Sequence, residues 1–301
     1  MSAPEAGGAD AAGSTLVEEL AEVPPLSTSL RRGLVASTVA AVRHDRGLTP
    51  FDLPAVRLAA RGLAADAVRL TAYEHLVGAT ASDDLPAGFV HVLAFPVMTA
   101  LMVRPEFPLP LLGMVHLANT VTQRRPVRLD EALDVEVHAE RLAAHHRGVS
   151  VDLVAEVSVA DEPVWRGVST YLAKGYALAG ESAERVERPD WRAPTPTGAW
   201  RLPADLGRRY AAVSGDHNPI HTSTLAAKAF GFPRTIAHGM YTAARALAEI
   251  GEPDAFTWHA EFFAPVVLPG TASVRIAKEG NGGVLDAWGK RHHLHVSVTA
   301  P

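Results

Sequence analysis

The chain has 301 residues and a formal net charge of −5, and apolar residues make up 48% of it. This length and composition fit a soluble globular protein with two domains, and the net negative charge gives no electrostatic basis for binding a nucleic acid. Cysteine is absent, which excludes disulfides, a thiol nucleophile and thiolate metal ligands.

The N-terminal segment, residues 1–13, is predicted to be disordered because it is acidic and rich in small residues. It lacks the basic start and the apolar run of a signal peptide. The most apolar run, residues 89–103, is shorter than the about 20 residues that span a bilayer, so we interpret it as a buried core helix. Together with the absence of cysteine, these features predict a cytoplasmic protein without a membrane span.

A β-hairpin is predicted towards the end of the first half. Residues 149–159 and 164–172 each alternate apolar with polar side chains, which is the pattern of strands with one buried face. Residues 161–163 between them have the composition of a turn. Residues 180–199 then combine charge and proline without an apolar period, which is typical of a linker.

Two ordered blocks, residues 14–179 and 200–301, are expected on either side of this linker. In the second block, helices are predicted at residues 222–230 and 240–250. The latter segment is apolar on most faces, which indicates a buried helix. The strands predicted after them are residues 272–276 and 294–298, and a glycine-rich turn at 280–283 lies between them.

The two blocks resemble each other, because three short matches recur in the same order at a nearly constant offset. Each match alone is weak, but the series predicts a tandem duplication. The matches pair Tyr73-xxxx-Gly78 with Tyr210-xxxx-Gly215, Pro96-Val97-Met98 with His238-Gly239-Met240, and Pro126-Val127-Arg128-Leu129 with Pro265-Val266-Val267-Leu268.

Residues 210–221, Y-A-A-V-S-G-D-H-N-P-I-H, form the one constellation that points to chemistry. Turn-forming residues lie between Asp216 and His221 and would fix both side chains in place. A carboxylate and an imidazole held on one side of a pocket can share a water molecule and exchange protons with a substrate. On the residues alone, helix capping by Asp and a structural histidine remain the commoner explanation.

This segment resembles the signature of the MaoC-like, R-specific enoyl-CoA hydratases. That signature has an aromatic residue, a short spacer, a small residue, G-D-x-N-P, an aliphatic residue and His, and here Ala227 supplies the small residue six positions later. Residues 237–240 and 262–270 are also similar to this family. The resemblance implies an α+β fold: a tandem, or double, hotdog in which each half wraps an antiparallel sheet around a long central helix.

The resemblance also implies roles for individual residues. Asp216 and His221 are expected to activate a water molecule, and the backbone N–H of Gly239 is expected to bind the thioester oxygen. Three further residues of the motif, Ser214, Gly215 and Asn218, would hold the loop and orient the pair, or serve as plain turn residues. His217 and His238 are expected to be structural or to line the site.

The first block departs from the motif, so one active site per chain is expected. In an ungapped comparison, Ala79 occupies the position of Asp216, and Asp84 occupies that of His221. Val97 occupies the position of Gly239. The block 14–179 is therefore predicted to be a hotdog without the catalytic pair.

The function implied is reversible hydration and dehydration of trans-2-enoyl and (3R)-3-hydroxyacyl thioesters in fatty-acid or polyketide metabolism, which is the reaction of a hydro-lyase. Two alternatives stay open: a hotdog acyl thioesterase, and a non-catalytic subunit that binds an acyl carrier. The expected partner is the acyl thioester, carried on coenzyme A or on an acyl carrier protein. The sequence leaves a monomer and a homodimer both open.

No cofactor is expected beyond coenzyme A, or the phosphopantetheine of an acyl carrier protein (ACP), as part of the substrate. The sequence contains no G-x-S-x-G elbow, no G-x-G-x-x-G fingerprint and no P-loop. The histidine clusters at residues 145–146 and 292–295 come without an evident carboxylate partner, so no metal is expected.

Overall fold

The computed structural model describes residues 16–26, 28–29, 48–184 and 190–301, which form two similar units. The predicted disordered segment, residues 1–13, lies outside the described residues. The first unit contains β1 (Leu16–Glu19), β2 (Val56–Leu63), α1 (Ala67–Val77), α2 (Ala87–Met102), β3 (Val115–Gln123), β4 (Leu133–His145), β5 (Gly148–Val159) and β6 (Glu162–Lys174). The second unit contains β7 (Gly198–Leu202), α3 (Leu206–Ser214), α4 (Pro219–Thr222), α5 (Thr224–Ala229), α6 (Gly239–Ile250), β8 (Phe256–Phe262), β9 (Gly270–Glu279), β10 (Gly282–Trp288) and β11 (His292–Thr299).

The strands of the described chain form one 11-stranded sheet in the order β1-β2-β4-β5-β6-β3-β8-β11-β10-β9-β7. The order is mirrored about its centre, where β3 and β8 pair antiparallel from Ala118–Glu261 to Gln123–Phe256. Only β1, which runs parallel to β2, has no counterpart among the described strands. Two antiparallel units joined in this way are a tandem hotdog, so the predicted α+β fold class is confirmed.

Each unit wraps its strands around one long helix, α2 or α6. All residues of α2 except Phe95 and Pro96 are buried, as the apolar run 89–103 predicted. Helix α6 covers the predicted segment 240–250 and packs on β8, β10 and β11. None of the helices in the described ranges is long and apolar enough to cross a membrane.

The predicted helix 222–230 is confirmed as α5, and the separate short helix α4 ends at Thr222 just before it. The chain breaks at Ser223, whose backbone is extended with φ −132° and ψ 120°. The Ser223 hydroxyl accepts a hydrogen bond from the N–H of Ala226 and so caps α5. The sequence placed the helix start one residue before this cap, because a serine inside a helix and a capping serine look the same in the sequence.

The internal repeat is present in the structure for two of its three matches. Tyr73 and Tyr210 occupy equivalent places in α1 and α3, and their ring centroids lie 6.4 Å apart. Both helices end at a glycine with φ 77°, Gly78 and Gly215, in the left-handed region that glycine adopts without strain. The segments that begin at Pro126 and Pro265 likewise follow the equivalent strands β3 and β8.

The third match is wrong. Pro96 lies in the middle of α2, whereas Gly239 begins α6. The second unit contains α4 and α5 before its central helix, so the residue equivalent to Gly239 is Ala87 and not Val97. Asp84, which an ungapped count placed opposite His221, is exposed and lies 3.6 Å from the guanidinium of Arg128.

The predicted linker 180–199 joins the two units. Residues 181–184 and 190–196 have no regular secondary structure, and residues 185–189 are outside the described ranges. Strand β7 begins at Gly198, inside the predicted linker, because Gly198 already pairs with Val274 of β9.

We expect the contact between α1 and α2 to tolerate no extra atom at Gly88. A Cβ there would overlap the hydroxyl of Tyr73, and it would lie 3.2 Å from the Cβ of Ala244. Gly88→Ala should lower the free energy of unfolding by about 1–3 kcal/mol, the usual cost of overpacking a core. Chemical denaturation at equilibrium measures this change.

Tyr73→Phe supplies the control, because the buried Tyr73 hydroxyl has no hydrogen-bond partner among the described residues. Removing it should leave the stability unchanged or raise it. In Gly88→Ala/Tyr73→Phe the overlap is relieved, so the double variant should be more stable than Gly88→Ala alone. The proposed contact would be contradicted if the change in the free energy of unfolding of the double variant equalled the sum of the changes in the two single variants.

Candidate active site

A cavity of about 660 Å³ is lined by residues of both units. The second unit contributes Asp216 and His221 from one turn region and Gly239 from the start of α6. The remaining lining is mainly apolar. The first unit contributes the opposite side chains, which include His91, Phe95, Met102, His116 and Tyr171. A largely apolar cavity with a few convergent polar groups is the usual form of a small-molecule site.

The loop that carries Asp216 is fixed by its own side chains. The Ser214 hydroxyl donates to the carbonyl of Tyr210 at 2.8 Å and accepts from the N–H of Asp216 at 3.2 Å. The Asp216 Oδ1 atom then accepts from the N–H of Asn218 at 3.1 Å. No described residue hydrogen-bonds to the other carboxylate oxygen, Oδ2, so this atom is available to a molecule in the cavity.

His221 lies on α4, and both ends of this short helix are held. Asn218 caps its N-terminus by accepting from the N–H of Ile220 at 3.3 Å. The His221 Nδ1 atom lies 2.9 Å from the carbonyl oxygen of Ile236. A carbonyl only accepts, so we assign the ring proton to Nδ1, which leaves a lone pair on Nε2.

His238 links these two side chains. Its Nε2 atom donates to the backbone carbonyl of Asp216 at 3.0 Å, and it lies 3.7 Å from the carboxylate Oδ2. Its ring stacks on that of His221 with centroids 3.7 Å apart. His238 is therefore a positioning residue for both members of the pair, in keeping with its interpretation from the sequence.

The electrostatic environment keeps His221 neutral near pH 7. Burial lowers the pKa of His221, and the nearby Asp216 opposes part of this shift. Atoms of Asp216, His221 and His238 that could bind a ligand all lie within 4.8 Å of one another. A neutral imidazole beside a carboxylate is the arrangement of a proton-transfer pair.

The same three side chains are the one group in the described chain with the spacing of a metal site. Two of their nitrogen atoms are already used, because His221 Nδ1 and His238 Nε2 hydrogen-bond to backbone carbonyls. We therefore interpret Asp216 and His221 as a proton-transfer pair that His238 positions, and the expected absence of a metal stays a prediction.

Gly239 is the first residue of α6, so its N–H has no acceptor within the helix. The positive end of the helix dipole adds to the field at this point. A Cβ on Gly239 would lie 3.1 Å from the ring of Phe262, so a side chain here would require that ring to shift. The N–H of Gly239 can thus stabilise an anionic oxygen in the cavity.

The first unit supports this site, which its sequence did not suggest. Arg69 of α1 donates from Nε to the carbonyl of Val213 at 2.7 Å and from its terminal nitrogen to that of Ser214 at 3.3 Å. These bonds satisfy carbonyls at the C-terminal end of α3, immediately before Asp216. A lone arginine in a helix carries no sequence signal for such a role.

Two histidines of the first unit also line the cavity. His91 on α2 is buried and His116 on β3 is half-buried. Desolvation lowers their pKa values to about 4 and about 3. In the sequence, His91 was only a polar interruption of an apolar helix. A polar residue in an otherwise apolar buried helix was the signal that could have identified it.

One expectation about the histidine clusters was wrong. Asp286 of β10 accepts hydrogen bonds from His292 and His295 of β11, each at 2.9 Å. The antiparallel register places Asp286 directly opposite His295, a proximity that sequence spacing does not show. The ring of Trp191 stacks on His292, so this cluster holds the end of the linker against the second unit.

Comparison with known proteins identifies the family of this chain. A family model described as the MaoC like domain matches residues 182–297. The 3-hydroxyacyl-thioester dehydratase X of Mycobacterium tuberculosis is 40% identical over 234 residues, which cover 77% of this chain and 83% of that protein. A fatty acid synthase subunit beta of Aspergillus oryzae is 44% identical over 86 residues, which cover 26% of this chain and 4% of that protein.

The alignments with similar solved structures extend over both units of this chain. The crystal structure of HtdX from Mycobacterium tuberculosis has a TM-score of 0.72 and 38% identity, covering 81% of this chain and 99% of that one. A MaoC-like dehydratase from Phytophthora capsici has a TM-score of 0.61 and 18% identity, covering 81% and 94%. At that identity the second likeness concerns the fold alone.

The desolvated histidines predict a stability that falls on acidification. His91, His116 and His238 have folded-state pKa values of about 4, 3 and 3, below the unfolded value near 6.5. The unfolded chain therefore binds protons first as the pH falls through 6.5. By pH 5 each histidine should cost about 1–2 kcal/mol of stability.

Denaturation curves at pH 7.5 and pH 5 test this prediction. Glu252, whose pKa burial raises to about 7, changes stability in the opposite sense, as do Glu74 and His295, whose pKa values are also raised. The pKa values of three further histidines are lowered by burial, so these groups add to the loss; they are His138, His221 and His293.

We expect the free energy of unfolding to be lower at pH 5 than at pH 7.5, and this decrease should be smaller in His116→Phe than in the original chain. A stability that is equal or higher at pH 5 would contradict the neutral state of the three histidines.

Proposed function

Because this chain belongs to the MaoC-like dehydratase family, we propose that it is a hydro-lyase that interconverts trans-2-enoyl and (3R)-3-hydroxyacyl thioesters. The observation that carries the proposal is the pairing of two unengaged atoms, Asp216 Oδ2 and His221 Nε2, on the wall of an apolar cavity. The name of the mycobacterial relative, a 3-hydroxyacyl-thioester dehydratase, supports the same reaction.

In the hydration direction, a water molecule held by Asp216 and His221 adds to C3 of the enoyl thioester. The Nε2 atom of His221 takes one proton of the water, while the hydroxyl oxygen forms the bond to C3. The imidazolium formed is stabilised by the carboxylate of Asp216, and its proton passes to C2. Dehydration runs through the same steps in reverse, with the C2 proton removed and the C3 hydroxyl leaving as water.

Negative charge develops on the thioester oxygen during this addition. We place that oxygen at the N–H of Gly239, where the start of α6 supplies a fixed dipole. Ser214 and Asn218 orient the pair through the loop hydrogen bonds of Asp216 and through the cap of α4. Gly215 permits the left-handed turn that directs the chain from α3 into the cavity wall.

Basic residues at the mouth of the cavity favour a substrate whose acyl group is attached to a phosphorylated carrier. Three exposed basic side chains line it, Arg147, Lys174 and Arg291, and none of them forms an ion pair with a described residue. Asp216 is the one carboxylate among the described lining residues. These cations would attract the phosphates of coenzyme A or of the phosphopantetheine arm of an acyl carrier protein.

Turnover should depend on both members of the pair. In Asp216→Asn and His221→Gln, kcat for hydration of trans-2-butenoyl-CoA should fall about 10²–10⁴-fold, the usual contribution of a general acid or base. Loss of the enoyl absorbance measures the rate, and chiral analysis of the product should show the (3R)-alcohol. His217→Ala is the matched control, because His217 is exposed and belongs to the same loop.

Two results would contradict this proposal. Release of free coenzyme A without a hydroxyacyl product would indicate a thioesterase. No conversion of any enoyl thioester, on coenzyme A or on acyl carrier protein, would indicate a binding subunit.

If the three basic residues at the mouth bind phosphate, replacing them should affect KM only for carriers that contain phosphate. Arg147→Gln/Lys174→Gln/Arg291→Gln should raise KM for a coenzyme A thioester about tenfold with little change in kcat, because exposed ion pairs contribute up to about 1 kcal/mol each. The N-acetylcysteamine thioester of the same acyl group has no phosphate, so its KM should not change. Added salt should raise the KM of the original chain for coenzyme A thioesters.

Arg208→Gln provides the control, since Arg208 is exposed on α3 and does not line the cavity. Equal changes in KM for the two carriers would show that the three cations do not act on phosphate.

A further inference from the structure

We propose that His91 and His116 form a polar subsite in the acyl part of the cavity, which binds a hydroxyl or keto group carried by the acyl chain beyond C3. This inference rests on the proposed hydration reaction and deepens it by naming the class of acyl chain. It concerns two side chains of the unit that lacks the catalytic pair.

Both rings are held in place by aromatic stacking. His91 is 3% exposed and stacks on Phe95 of the same helix, with ring centroids 5.9 Å apart. His116 stacks on Tyr171 at 4.5 Å and contacts Phe262 at 4.9 Å. Because their neighbours fix both rings, the positions of their nitrogen atoms are fixed as well.

One nitrogen atom of each ring lacks a partner within the described chain, and His116 also hydrogen-bonds to the backbone of Ala118. His91 Nδ1 and His116 Nε2 are buried and have no hydrogen-bond partner among the described residues. Both rings are neutral near pH 7, since burial lowers their pKa values to about 4 and about 3. A neutral imidazole offers one donor and one acceptor, which suits a hydroxyl or carbonyl group better than a charged one.

The lining around the two histidines is mainly apolar, so their unpartnered nitrogen atoms should determine which acyl chains bind well. The other side chains that residues 92–115 contribute to the cavity are apolar, apart from Thr99; they are Val92, Phe95, Met102, Leu111, Met114 and Val115. This lining suits the methylene groups of an acyl chain. A purely alkyl chain passing the two histidines would leave their nitrogen atoms desolvated and unpaired, which is unfavourable.

The two histidines belong to the first unit, whereas Asp216, His221 and Gly239 line the cavity from the second unit. In the proposed reaction these three residues engage C2, C3 and the thioester oxygen of the substrate. A polar group held by His91 and His116 is therefore a different group, which we place on the acyl chain beyond C3.

A competition experiment tests this subsite. Trans-2-octenoyl-CoA and its derivatives with one hydroxyl at C5, C6 or C7 are offered together to the full-length protein. We expect kcat/KM for at least one hydroxylated chain to exceed that of the unsubstituted chain about tenfold or more, because a site built for a polar group rejects the analogue that lacks it.

Two variants assign the preference to the histidines. His116→Phe and His91→Phe keep an aromatic ring for stacking but remove the ring nitrogen atoms. Each should reduce the preference for the hydroxylated chain and raise kcat/KM for the unsubstituted chain, a gain that a damaged fold would not produce. His116→Gln retains a donor and an acceptor, so it should keep part of the preference.

His138→Leu is the matched control. His138 of β4 also has a buried nitrogen without a partner among the described residues, but it does not line the cavity. This variant should keep the full preference.

The inference is overturned if the original chain converts the unsubstituted substrate at least as well as every hydroxylated one, or if both Phe variants keep the preference. Where a Phe variant does not fold, the competition with the original chain and with His116→Gln decides. Failure to hydrate any thioester would instead remove the proposed function, and is distinguishable from hydration without a preference.

Discussion

The antiparallel pairing of β3 with β8 joins the two units into one sheet, and the site depends on this contact. The pairing brings His116, near the start of β3, against Phe262 at the end of β8, and Phe262 in turn packs beside Gly239. The wall that would receive an acyl chain and the helix N-terminus that would receive its thioester oxygen are thus held together by one strand pair. Neither unit alone would enclose the cavity.

Duplication allows one unit to lose the reacting groups without becoming dispensable. The first unit has no counterpart of Asp216 or His221, and its central helix begins without the preceding turn motif. It still supplies Arg69, which satisfies carbonyls immediately before Asp216, and the buried helix α2, which forms one wall of the cavity. We infer that the two units have different roles: the second unit provides the residues for proton transfer, and the first unit shapes the cavity for the substrate.

The residues that the sequence identified are those that a local motif holds. Asp216, His221 and Asn218 lie within one turn region, so their proximity follows from chain connectivity and turn chemistry. The contributions of Arg69, His91 and His116 depend on packing between distant segments, and no spacing in the sequence encodes it. The same limit explains the false match at Pro96, where a helix interior resembled a helix start by chance, and the unforeseen partner of His295, which antiparallel register alone brought to Asp286.

The proposed acid/base pair, which is half-buried, has to be positioned without using up the atoms that react. In this site each member gives one atom to the backbone and keeps the other: Asp216 uses Oδ1 for the N–H of Asn218, and His221 uses Nδ1 for the carbonyl of Ile236. His238 donates to the backbone carbonyl of Asp216 at 3.0 Å and stays 3.7 Å from the carboxylate. Orientation is therefore fixed before a substrate binds, while Oδ2 and Nε2 stay unengaged by the described residues, which is the preorganisation that lowers the barrier to proton transfer.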